Sequence, residues 1–164
     1  MAKLTSAATY ERARRLANMS MWSIHLQYRR LQSAEPEDAS FVLRKWADFD
    51  FLIVCLTRLR RAARLAAALP ELRSLLAVAV AAFDAAVPDL KRMRDVAEHI
   101  DDYAADRGKN SAVLRQALEV SSLSDDGPTL RWLGVRLNAT EALMASQALF
   151  EVIKNASRAF HEGA

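Results

Sequence analysis

Histidine is scarce in this chain, three in 164 residues, and one stands where acid–base chemistry would use it. His99 lies in Met93-Arg-Asp-Val-Ala-Glu-His-Ile-Asp-Asp-Tyr103, the most polar segment of an amphipathic helical pattern. On a wheel of about 100° per residue, Leu90, Met93, Val96, Ala97, Ile100 and Ala104 make the apolar stripe. Asp95, His99 and Asp102 follow i, i+4, i+7 spacing and share a face. Carboxylates one turn away on either side favour the imidazolium, which donates a proton near neutral pH. Arg94 falls outside the opposite edge of the stripe, about 140° from His99. Its planar guanidinium grips phosphate oxygens with two parallel hydrogen bonds and never deprotonates. Asp95 orients His99 or holds Arg94; the residues alone leave both open.

Asp95, His99 and Asp102 also invite a metal reading. One histidine with two flexible carboxylates on a single helix lacks ligands from a second element, so no metal and no cofactor is expected. Other catalytic classes fall away. The four glycines, at 108, 127, 134 and 163, are isolated, so there is no phosphate-cradling loop and no Gly-x-Ser-x-Gly elbow. Cys55, inside Phe51-Leu-Ile-Val-Cys-Leu56, reads as a small core hydrophobe, and a lone cysteine excludes a disulfide framework. His25 reads as a packed or rim residue, and His161 as a cation suited to a helix C-terminus.

Arg94-Asp-Val-Ala-Glu-His99 resembles the signature of the HEPN superfamily, an Arg followed by Asn, Asp or His and then, after a short spacer, a His. The resemblance implies an all-helical bundle that dimerises so that motifs from two chains form one cleft. It also implies a metal-independent endoribonuclease, of a kind many toxins and defence effectors use. On that reading Arg94 contacts the scissile phosphate, His99 transfers a proton and Asp95 supports them. A homodimer, an RNA substrate and an antitoxin partner follow as expectations. The alternative is a catalytically inert helical module for dimerisation or partner binding, with Arg94, Asp95, Glu98 and Asp102 as a solvated face. Several superfamily domains are of that inert kind.

The elements that must position these residues are helices. Hydrophobic residues make up 52% of the chain and charged residues 26%, and four Gly and four Pro leave few turns. Tyr10, Ala13, Ala17, Met21, Ile24, Tyr28 and Leu31 mark a first helix over 6–32, capped by Thr5 or Ser6. Pro36 opens a second that runs to about Leu69, with Val42, Trp46, Phe49, Ile53 and Leu56 on one side. Glu71 to Val87 form a third, whose Leu75–Phe83 run is apolar all round and therefore expected to be the most buried stretch. Asp89 to about Asp106 form the fourth, ended by Arg107-Gly108. Alternation around Asp126-Gly127 predicts a short hairpin, although Val113–Leu118 could extend as helix. Asn138 and Glu141 cap a last helix with a stripe from Ala142 through Leu149 and Ile153 to Phe160. Residues 1–164 thus read as a single all-α domain, an up-and-down bundle of about five helices with a small hairpin before the last.

Charge is lopsided. Residues 1–70 carry 12 basic against 6 acidic groups, and 71–164 carry 11 against 14. Arg58, Arg60, Arg61 and Arg64 concentrate the excess, as an RNA-facing patch or as a solvated helix face. The longest apolar run has nine residues, far short of the roughly 18 a membrane span needs, and no secretion signal is evident, so a cytoplasmic setting away from the membrane is expected.

Overall fold

The structure, a computed structural model, describes residues 5–33, 43–124 and 128–158. Pro36, Val42, the Asp126-Gly127 turn, Phe160 and His161 lie outside them. The architecture is mainly α. Helix α1 spans Ser6–Gln32, α2 Arg44–Ala67, α3 Arg73–Ala86, α4 Leu90–Glu98, α5 Ile100–Ala104, α6 Gln116–Glu119 and α7 Ala139–Asn155. A 3-10 turn, Pro70–Leu72, joins α2 to α3.

Helix α1 follows its stripe. Thr5 Oγ1 accepts the Ala8 N–H at 3.2 Å, and Tyr10, Ala13, Ala17, Met21, Ile24 and Leu31 are buried. Small residues on both helices, Ala13 and Ala17 on α1 and Ala62, Ala63 and Ala66 on α2, let backbones approach closely. Two hydroxyls clamp α7 antiparallel to α1: Tyr10 donates to the Ile153 carbonyl at 2.7 Å, and Tyr28 meets Thr140 Oγ1 at 3.4 Å. Arg60 and Asp84 pair through two hydrogen bonds, joining α2 to α3. No single helix among the described residues is long and apolar enough to cross a membrane.

The expected five-helix bundle with a hairpin needs correction. Among the described residues there are seven α-helices and a three-stranded antiparallel sheet, β1 Ser121–Ser124, β2 Thr129–Trp132 and β3 Val135–Asn138, in the order β1-β2-β3. Leu118 belongs to α6, whose last carbonyls are near enough that Leu118 O accepts the Trp132 indole N–H at 3.1 Å. The additional strand comes from a tight turn between Trp132 and Val135, which face each other in register. Leu133 and Gly134 both take positive φ, 57° and 72°, the type I′ geometry whose twist matches the flanking strands. A leucine costs about 1–2 kcal/mol in that region, and burial of its side chain offsets the cost. The strand then feeds α7, where Asn138 Oδ1 accepts the N–H groups of Thr140 and Glu141.

The third helix also departs from expectation. Of its apolar run only Leu76 and Phe83 are buried, while Val78 is 72% and Leu75 49% exposed. An all-apolar sequence states that no face is polar, not that every face has a partner. Alanine at most outward positions makes the exposure cheap, since it offers little area to bury.

The fourth predicted helix is two helices, and its end is set by tyrosine packing. Asp106, at φ 56°, forms the left-handed residue of a Schellman cap, with Arg107 N–H on the Asp102 carbonyl and Asp106 N–H on that of Tyr103. Gly108 is needed for another reason: a Cβ there would lie 2.1–2.6 Å from the buried Tyr103 ring. Gly108→Ala should therefore lower stability by about 1–3 kcal/mol, the usual cost of overpacking. Urea unfolding checks this, and an unchanged midpoint would show that the ring moves freely.

Candidate functional site

Helix α4 starts after Pro88 and turns Leu90, Met93 and Val96 into the core at i, i+3, i+6, which leaves its charged residues outward. It stops at His99, whose backbone (φ −126°, ψ 36°) leaves the helical region. The His99 carbonyl then accepts from Asp102 and Tyr103 at 3.1 and 3.2 Å, starting α5. Asp101 and Asp102 fall in the first turn of α5, where the helix dipole favours negative charge. His99 is thus an exposed residue at a joint between two helices, not a mid-helix residue.

The joint forms one wall of a cleft of about 640 Å³. Asp95, His99 and Asp102 all line it, as their spacing on one face predicted. Three cations that sequence reasoning did not single out, Lys91, Arg92 and Lys109, line it as well. Lys109 arrives because the Schellman cap at Asp106 reverses the chain, and the Asn110 N–H donating to Tyr103 Oη at 3.2 Å fixes that reversal. Arg92 donates to the Leu133 carbonyl at 2.9 Å, anchoring the cleft to the β2–β3 turn, while its Nε is buried without a partner. The carboxylates are already engaged, Asp95 by Lys91 at 3.7 Å and Asp102 by Arg107 at 3.8 Å. Among the described residues no three His, Cys, Asp or Glu side chains form a set able to hold a metal ion.

Arg94 is not in the cleft wall. Its guanidinium is bound by Asp95 Oδ1 at 2.6 Å and Glu98 Oε2 at 2.9 Å, and its Nε is buried unpaired. Of the two roles open to Asp95, the structure shows it holding Arg94. Arg94 and His99 therefore do not share the cleft wall, in keeping with their separation on the helix wheel. The α2 arginines lie elsewhere too. Arg60 is spent on Asp84, and Arg58, Arg61 and Arg64 are exposed without an ion pair among the described residues; none lines the His99 cleft. Cys55 is buried, and that burial pushes its thiol above the ordinary value, away from a nucleophile.

The chain matches no family model, no curated protein and no solved structure.

Proposed function

We propose that this chain is a metal-independent endoribonuclease, acting as a homodimer, with His99 as its proton-transfer residue. Such an activity suits a toxin or a defence effector checked by an antitoxin partner. The observation that carries the reading is the cleft in which an exposed imidazole opens beside Lys91, Arg92 and Lys109. Those cations offset the phosphodiester charge that Asp95 and Asp102 would otherwise repel. In the reaction the ribose 2′-oxygen attacks phosphorus, the bond to the 5′-oxygen breaks, the 2′ proton goes to a base and the leaving oxygen takes one from an acid. His99 carries one of these transfers. Stabilising the phosphorane falls to Arg94 of a second protomer, since the Arg94 of the same chain does not line the cleft and is paired with Asp95 and Glu98.

The test is cleavage of an RNA panel in excess EDTA by wild type and His99→Ala. Wild type should cut and leave cyclic-phosphate ends, and the variant should not. An uncut panel, with the two proteins indistinguishable, sinks the enzyme reading. The inert binding module would then stand, and one observation already favours it: the ion pairs of Arg94 to Asp95 and Glu98 occupy the guanidinium that catalysis needs.

A further inference from the structure

A row of exposed apolar side chains, none of which lines the His99 cleft, runs along the outer seam of α1 and α2. Leu16, Met19 and Leu26 follow i, i+3, i+10 on α1 and are 52%, 64% and 38% exposed, with Trp22 beside them at 67%. Leu43, the residue before α2, and Phe51, on α2, are 65% and 59% exposed. Arg30 paired with Asp48 fixes the helices as antiparallel neighbours and places Leu26 opposite Phe51. These two side chains and Leu43 line one groove of about 510 Å³. Monomers rarely leave so many large side chains uncovered along a single seam.

The rim tells what covers it. Arg12 stands one turn before Leu16 on the same α1 face, and Arg58 stands seven residues past Phe51 on the same α2 face, with Arg29 and Arg61 further out. All four are exposed and without an ion pair among the described residues. Asp50, about 100° round α2 from Phe51, is a single carboxylate beside these four cations. A second copy laid on this seam would bring arginine against arginine. Phosphates would meet the arginines but leave leucine, methionine and tryptophan uncovered, and a flat bilayer would not fill a groove between two helices.

We propose that the α1–α2 seam docks an acidic amphipathic helix of another protein. Its apolar residues, at i, i+3, i+7 and i+10, lie on Leu16, Met19, Leu26 and Phe51, and flanking Asp or Glu meet Arg12 and Arg58. The seam from Leu16 to Arg30 runs roughly 21 Å, the length of about 14 helical residues. This surface is independent of the His99 cleft.

The probe is a displayed library of helical peptides about 14 residues long, with leucine fixed at those four positions and the flanks varied among Glu, Lys, Gln and Ala. Glu should be enriched on both flanks. A selected peptide should lose about tenfold or more in affinity to Phe51→Glu and to Arg58→Glu, and replacing its facing Glu by Lys should restore binding to Arg58→Glu. Trp22→Glu, at a second exposed site, repeats the first test, with circular dichroism checking each fold. No enrichment, enrichment of Lys, or binding indifferent to these changes overturns the proposal. So does a wild-type dimer that Phe51→Glu dissociates, or binding to phosphatidylserine vesicles or to RNA that Phe51→Glu abolishes.

Discussion

Asp48→Ala should cost about 3–5 kcal/mol and lower the melting temperature on the order of 10 °C, because it strands a buried guanidinium. Asp48 is 1% exposed and takes Arg30 Nε at 2.6 Å and Arg44 at 3.3 Å. The Arg44 side chain is only 6% exposed, and it also donates to the Arg30 carbonyl at 2.7 Å and the Ser33 carbonyl at 3.3 Å. It thereby satisfies carbonyls that the end of α1 leaves open, and locks that end to the start of α2. Removing Asp48 leaves the Arg44 charge in the interior with only neutral partners. Arg30→Ala should cost much less, since that side chain is half exposed and Asp48 keeps Arg44. The double change Arg44→Met with Asp48→Leu should recover most of the loss, because apolar side chains of similar volume need no partner. Thermal melts of the four proteins decide it. A single Asp48→Ala variant melting within a degree or two of wild type would show that the pair holds nothing.

That network was not legible in the sequence, and its case shows where legibility ends. Periodicity located α1 and α7 and most of their buried faces, because a stripe of three- and four-residue steps has one way to face a core. Asn138 announced its cap by local chemistry that needs no tertiary partner. Arg44 and Asp48, an i, i+4 pair, look from sequence like any solvated couple; only the packing of α1 over them makes them interior. Helix α3 failed the opposite way, since Leu75–Phe83 carries no polar residue to mark which side meets water. At the candidate site, the shared face of Asp95, His99 and Asp102 was readable, being local. The joint at His99 was not, for neither glycine nor proline marks it, although the paired acids Asp101 and Asp102 suit a helix start. Lys109 reaches the cleft through a reversal at Asp106, a residue type only modestly suited to positive φ. Arg58, Arg60, Arg61 and Arg64 are close in sequence, yet Arg60 pairs with Asp84 while the other three are exposed, and none lines the His99 cleft.

Mixing two inactive variants should restore activity that neither has alone. Arg94→Ala and His99→Ala are each expected to lower RNA cleavage by about 10²-fold or more, the scale of a lost acid–base or charge-stabilising group. The double variant should be little worse than either, because groups that act as a unit are not additive. These values alone do not say whether the two residues serve one cleft from one chain or from two. His99 lines the cleft while Arg94 does not and is paired with Asp95 and Glu98, so in the proposed dimer each His99 is expected to work with the Arg94 of the other protomer. If Arg94→Ala and His99→Ala chains are unfolded together and refolded at equal concentration, about half the dimers are mixed, and each mixed dimer carries one intact His99–Arg94 pair and one doubly broken one. Activity should then rise to about a quarter of wild type, set by the pairing of symmetric subunits. Wild type refolded with an equal amount of the double variant should instead keep only the activity of wild-type dimers, since every mixed dimer has both His99–Arg94 pairs broken. No recovery in the first mixture, with light scattering confirming that mixed dimers formed, would confine catalysis to a single chain. Arg94 would then have to leave Asp95 and Glu98 to reach the cleft of its own protomer.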